Sequence, residues 1–137
     1  MDSLATQTME DFMLLLEHIK NSFFEFADKY ELSRAQLFVL YAIDRHADMG
    51  MGQVADVLRC DASNVTGMVD RLVAQGLVMR QESARDRRSK TLRLTAKGEQ
   101  IIKDFKAYQF VALGCAKLDD AERAALHSIV QKVVVQA

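Results

Sequence analysis

The 137-residue chain has no proline, no tryptophan and only two cysteines, Cys60 and Cys115. Neither cysteine belongs to a Cys-x-x-Cys or Cys/His ligand pattern, which excludes a disulfide scaffold or a zinc module. The histidines His18, His46 and His127 are widely separated, and no pair has the spacing of metal ligands on one helix. No metal and no cofactor is therefore expected. The start of the chain carries Asp2, Glu10 and Asp11 in place of the basic opening of a signal peptide. No uncharged run approaches the roughly 20 apolar residues of a membrane span. These absences predict a reduced, cytoplasmic protein without membrane contact, and they make the sequon Asn64-Val65-Thr66 a chance match. A nucleophile elbow, a metal motif and a phosphate loop are also missing, so the chain does not read as an enzyme.

Overall basicity is lacking too. The net charge of −1 and the pI of about 6.3 run against the strongly basic balance common in nucleic-acid-binding domains. The distribution of charge says otherwise. From Arg85 to Arg93, five basic residues (Arg85, Arg87, Arg88, Lys90, Arg93) accompany one acid, Asp86, giving a local +4 and leaving −5 for the rest. Taken alone, such a run is often only a solvated loop. Its setting gives it meaning, because a local field attracts phosphate whatever the total.

That setting is the segment from Asp61 to Thr95. Val65, Val69, Leu72 and Val73 recur at helical spacing, while Ser63, Asn64, Gly67, Asp70 and Arg71 fall on the opposite face. The outer face is polar and mostly short-chained, which lets a helix sit deep in a major groove, where Asn can bond adenine and Ser or Thr can reach base edges. Upstream, Gln53 starts a short helix with Val54, Val57 and Leu58 inward, and a turn from Arg59 to Asp61 makes the pair a helix-turn-helix. Downstream, Gly76 ends the helix, Leu77 to Glu82 form a strand, and Lys90 to Thr95 return it with Leu92 and Leu94 on one face and Thr91 and Arg93 on the other. Ser83 to Ser89 lacks Gly and Pro, so a longer mobile wing is expected there instead of a tight turn.

The flanks are helical. Leu4 to Tyr30 is apolar over more than one stripe (Met9, Phe12, Met13, Leu15, Leu16, Ile19, Phe23, Phe24, Phe26), and a chain of this size has few elements to enclose it, so a second copy is the expected cover. Ser33 and Gln36 form a capping box for the next helix, which runs to about Arg45, and the glycines in Met49-Gly50-Met51-Gly52 mark a connector. Thr95 caps a long helix ending near Gly114. Asp119 and Glu122 then open a last helix with Leu126, Ile129, Val130 and Val133 as its stripe.

These residues resemble the MarR family of transcriptional regulators over nearly the whole chain. Asp86-Arg87-Arg88-Ser89, then Leu92-Arg93-Leu94-Thr95 and Gly98, are similar to the family's wing and following helix. Gln53-Val54-Ala55, Asn64-Val65-Thr66, Asp70-Arg71-Leu72 and Gly76-Leu77-Val78 match its helix-turn-helix in order and spacing. The implied fold is mainly α with a small β-wing. It would be a single domain over 1–137, with a winged helix-turn-helix lobe at 31–95 and an intertwined helical dimerisation region at 1–30 and 96–137.

The resemblance implies a homodimer on double-stranded DNA, with repression of a pseudo-palindromic operator as the expected activity. Ser63, Asn64, Thr66 and Gly67 would read the major groove, Gly67 either by contact or by permitting closer backbone approach. Arg88 would enter the minor groove, with Arg85, Arg87 and Lys90 beside it. Asp86 would orient the wing arginines or pair with Arg71, which could equally be a phosphate contact. The same resemblance implies a small aromatic effector in a crevice to which Phe12, Phe23, Phe38 and Tyr41 could contribute, although these rings read equally well as core. The alternatives are a redox- or metal-responsive regulator, with Cys60 either a switch or an inert thiol, and a winged-helix protein-interaction module without DNA binding.

Overall fold

The computed structural model describes residues 1–135. Six helices and one hairpin follow in order: α1 (Ser3–Lys29), α2 (Arg34–Arg45), α3 (Met51–Leu58), α4 (Ala62–Ala74), β1 (Val78–Glu82), β2 (Lys90–Leu94), α5 (Ala96–Ala112) and α6 (Asp120–Val130). A 3₁₀ turn (Cys115–Lys117) precedes α6 and a π-helical segment (Gln131–Val135) continues it. Among the described residues no helix is long and apolar enough to cross a membrane. The chain divides into two compact units, Phe23–Lys106 and Met1–Ser22 with Ala107–Ala137.

The Phe23–Lys106 unit holds the core. Leu37, Val39, Leu40 and Ile43 of α2, Val54 of α3, and Val65, Val69 and Leu72 of α4 are buried with Leu77, Val78, Leu92 and Leu94 of the hairpin region. Phe26, Ile102 and Phe105 complete it. Full burial of each such side chain is worth about 1.5–3 kcal/mol, so this apolar set fixes how the helix-turn-helix and the hairpin are held.

Local chemistry sets the helix ends. At α2 the Gln36 N–H donates to Ser33 Oγ at 3.1 Å and the Ser33 N–H donates to Gln36 Oε1 at 2.9 Å, a complete capping box. Helix α4 ends in a Schellman motif, with the Leu77 N–H on the Leu72 carbonyl at 3.0 Å and the Gly76 N–H on the Val73 carbonyl at 2.9 Å. The motif needs a left-handed residue, and Gly76 supplies φ +71°. Thr95 then caps α5, its Oγ1 accepting the Gly98 N–H at 3.1 Å.

Several expectations change. Helix α3 begins at Met51 instead of Gln53, because Gln53 Oε1 takes the Gly50 N–H at 2.8 Å and thereby opens the helix two residues earlier. Val57 is 38% exposed, so only Val54 of that helix is fully inward. Asp61 occupies the N-cap position of α4, but its side chain accepts no cap hydrogen bond.

Thr91 is buried like Leu92 and Leu94, not exposed beside Arg93. The hairpin pairs Val78 with Leu94 and Glu82 with Lys90, and Met49 adds a bridge on the far side of β2, its carbonyl accepting the Leu92 N–H at 2.8 Å. β2 has β1 on one edge and Met49 on the other and packs against α2 and α3, and only Lys90 and Arg93 of it are exposed, so the expected alternation of a half-buried strand fails at Thr91.

The second unit is differently composed. Within it the His18 Nε2 donates to the Ala112 carbonyl at 2.7 Å, Ser22 donates to Gln109 Oε1 at 2.8 Å, and Arg123 stands over the Phe110 ring at 5.4 Å. Asp119 and Glu122 form the expected capping box of α6. Leu4, Met13, Leu14 and Leu16 of α1 and Ile129, Val130 and Val133 near the other end leave large apolar areas in water.

Candidate nucleic-acid interface

The interface starts from the two faces of α4. Burial of Val65, Val69 and Leu72 turns Ser63, Asn64, Thr66, Gly67, Asp70 and Arg71 outward, and all six are exposed. Thr66 is the least free of them, since its hydroxyl donates to the Ala62 carbonyl at 3.0 Å one turn earlier. Asn64 and Ser63 carry side-chain groups with no protein partner among the described residues. Both keep their full hydrogen-bonding capacity for an external ligand.

The hairpin brings the second set. Its loop spans Ser83 to Ser89 as expected, and Asp86 organises it from within. The Asp86 carbonyl accepts the Ser89 N–H at 3.0 Å, Asp86 Oδ1 accepts the Arg88 N–H at 2.9 Å, and the Ser89 carbonyl accepts the Ser83 N–H at 3.0 Å. An Asx-turn of this kind lets a side-chain oxygen stand in for a backbone acceptor. Asp86 thus holds the Arg88 main chain, and it does not pair with Arg71.

Ion pairs sort the basic residues. Arg93 is committed to Asp48 at 3.3 Å, so it is a structural member of the basic run. Arg85, Arg87, Arg88 and Lys90 are exposed and have no acid within pairing distance among the described residues, and neither has Arg71. The carboxylate of α4, Asp70, is held by Arg80 on β1. That pair links the helix to the hairpin and sets a positive charge beside the one carboxylate on the exposed face of α4. Arg80 and Asp48 were not singled out from sequence, because each acquires its role from a partner 10 or 45 residues away.

The aromatic candidates separate. Phe23 and Tyr41 stand edge-on to Phe105, with ring centroids 5.3 Å and 5.6 Å from it, and Phe38 stands edge-on to Phe23 at 6.3 Å. Phe12 belongs to the other unit and is exposed. Phe105, the centre of the cluster, carried only the signal of an apolar position in the long helix. Cys60 and Cys115 are both partly exposed free thiols. No group of three or more His, Cys, Asp or Glu capable of holding a metal occurs among the described residues.

Known proteins share this arrangement. Residues 32–90 match the model of the MarR family. The chain is 31% identical over 138 residues to the uncharacterized HTH-type transcriptional regulator YpoP of Bacillus subtilis, covering 95% of this chain and 96% of that protein. It is 33% identical over 99 residues to the HTH-type transcriptional repressor MdtR of Bacillus subtilis, an alignment spanning 69% of this chain and 64% of MdtR. The crystal structure of apo wild-type MarR from E. coli superposes with a TM-score of 0.69 at 25% identity, covering 91% of this chain and 94% of that one. The exposed polar helix, the adjacent basic hairpin and these relatives lead to one conclusion: the chain belongs to the MarR family of winged helix-turn-helix, DNA-binding transcriptional regulators.

Proposed function

We propose that the chain is a cytoplasmic repressor that binds a pseudo-palindromic operator as a homodimer, with half-sites about one helical turn (~10 bp) apart. The observation that carries this reading is the exposed polar face of α4, with Ser63, Asn64 and Arg71 uncommitted, beside four unpaired cations of the hairpin loop. Ser63, Asn64, Thr66 and Gly67 meet base edges, Arg88 enters the minor groove, and Arg71, Arg85, Arg87 and Lys90 neutralise phosphates. Asp86 fixes the loop from which Arg88 projects. Self-association accounts for the apolar side chains that the Met1–Ser22 and Ala107–Ala137 unit leaves in water, Leu16 at 56% and Ile129 at 53% exposure among them. Repression is the activity named for the relative MdtR.

A small aromatic ligand releases the operator by binding better to a dimer geometry that does not match DNA, since only differential affinity shifts a population. The cluster of Phe23, Phe38 and Tyr41 supplies stacking surface for it.

A salt titration of operator binding tests the central reading. If Arg71, Arg85, Arg87 and Lys90 of each subunit neutralise about four phosphates, the log-log slope is roughly −7, and Arg87→Ala makes it shallower by about 2 per dimer while Arg88→Ala weakens operator binding and leaves dimerisation intact. A salt-independent interaction, or an unchanged slope in Arg87→Ala, contradicts the proposal. Asn64→Ala costs about 1–3 kcal/mol at one base position if its amide reads an adenine. Equal losses on operator and random DNA would remove it from the base-reading set.

A further inference from the structure

The turn between α3 and α4 carries an arginine that lies outside the basic run. Helix α3 ends in a Schellman motif, with the Cys60 N–H on the Ala55 carbonyl at 3.2 Å and the Arg59 N–H on the Asp56 carbonyl at 3.2 Å. Arg59 takes the left-handed place in it, at φ 51° and ψ 47°, the place that Gly76 takes in the motif ending α4. Glu31 and Asp48 share that backbone region, so conformation alone does not distinguish Arg59. Its place and its charge do. It lies two residues before Asp61, the N-cap of α4, and shortly before Ser63 and Asn64 in the first turn of that helix. It is exposed, and among the described residues no carboxylate lies within ion-pairing distance of it, Asp56 and Asp61 included.

We propose that Arg59 contacts a DNA phosphate, on the strand edge of the major groove that α4 enters. The inference rests on the proposed DNA-binding reading and extends its phosphate contacts from the hairpin to the N-terminal end of α4. When the second helix of this motif sets its N-terminal residues on base edges, the first crosses the backbone, so the turn joining them passes over a strand. Arg59 occupies that turn. Four Cα steps separate it from Ser63, at most about 15 Å, which is the scale of a groove roughly 12 Å wide whose walls are phosphates. Electrostatics also calls for a cation at this point. The first turn of α4 offers N–H dipoles to an anion, but Asp61 accepts no cap hydrogen bond and sets an exposed carboxylate beside them. A phosphate arriving there meets that carboxylate, and Arg59 offsets it. A guanidinium can give such a phosphate two parallel N–H donors. The competing description is a solvated arginine without a ligand, for which substitution leaves DNA binding unchanged.

The test compares Arg59→Gln, Arg59→Gly and Arg59→Lys with the wild type. The full-length wild-type protein selects a duplex from a random-sequence pool, and binding to that duplex and to a scrambled one of equal length and composition is followed by fluorescence anisotropy between about 50 and 200 mM salt. Adding Arg59 to about four phosphate contacts in each subunit steepens the log-log slope from roughly −7 to roughly −9. Arg59→Gln and Arg59→Gly are expected to make it shallower by about 2 and to weaken both duplexes by a similar factor of roughly ten or more, because a phosphate contact carries no sequence information. Arg59→Lys keeps the charge and the slope. Glycine adopts left-handed backbone without a Cβ clash, so equal losses in Arg59→Gly and Arg59→Gln are losses of charge and not of fold. An unchanged slope in Arg59→Gln, or a slope lost equally in Arg59→Lys, overturns the proposal. A loss confined to the selected duplex overturns it too, since it assigns Arg59 to base reading. If the wild type binds and Arg59→Gln binds alike, only this inference fails; if the wild type selects no duplex and binds neither, the DNA-binding reading fails and this inference with it.

Discussion

Gly98 offers the sharpest test of how the winged lobe is held together. A Cβ at this position would lie 2.2 Å from the Leu77 carbonyl oxygen, 3.2 Å from its carbonyl carbon and 3.4 Å from Leu94 Cβ. Ordinary carbon–oxygen contacts are about 3.3–3.6 Å, so the helix or the Leu77 peptide must move by roughly an ångström. Neither can move freely. The Leu77 carbonyl accepts the Thr95 N–H at 3.0 Å, the Leu77 N–H completes the Schellman motif on Leu72, and Thr95 Oγ1 donates to the Gly76 carbonyl at 2.5 Å. Losing one of these bonds costs about 0.5–1.5 kcal/mol. Displacing the buried Leu77 and Leu94 adds about 1–3 kcal/mol. The better helix propensity of alanine offsets at most about 1 kcal/mol.

Gly98→Ala should therefore destabilise by roughly 0.5–4.5 kcal/mol, measured by urea unfolding at fixed protomer concentration, since any self-association makes stability depend on concentration. A neutral or stabilising result would refute the close-approach argument. It would mean that α5 can slide away from the hairpin at no cost.

Gly67→Ala is expected to do the opposite. Nothing lies within 4 Å of its would-be Cβ, so the helix gains up to about 1 kcal/mol from alanine, and any fall in operator affinity then reports close backbone approach to DNA. Asp86→Asn keeps an oxygen for the Arg88 N–H and should retain or improve operator affinity in a gel shift, whereas Asp86→Ala loses the turn and binds several-fold more weakly; equal behaviour of the two would mean that Asp86 acts through charge alone. The Tyr30 phenol is pushed above its ordinary range by the hydrogen bond it donates to Asp104 at 2.9 Å, then by burial and the neighbouring charge. A raised folded-state value means that its contribution is fully present below about pH 10 and is lost as pH rises through the folded-state value, so Tyr30→Phe should flatten the alkaline limb of the stability profile. An alkaline limb identical to that of the wild type would remove Tyr30 from its cause.

What could be read from the sequence follows the range of the interaction. The boxes Ser33–Gln36 and Asp119–Glu122, the Gly76 stop and the outward face of α4 were all legible, because each is decided within about one helical turn. Thr91 was not legible. Its burial is set by tertiary neighbours, since β2 packs against α2 and α3 from far earlier in the chain, and no alternation within the strand encodes them. The basic run shows the same limit at the site itself. Composition counts Arg93 with the others, but Asp48 removes it. Composition also places an acid on the reading helix, yet Arg80 answers Asp70 from the hairpin. The total charge of the segment is therefore a poor measure of its capacity for DNA. The quantity that matters is the number of cations left after internal pairing, and that number depends on the tertiary fold. It follows that Asp48→Asn, which should release Arg93, is expected to make the salt dependence of DNA binding steeper although it changes no residue of the proposed interface; an unchanged slope would show that Arg93 stays out of reach of phosphate even when free.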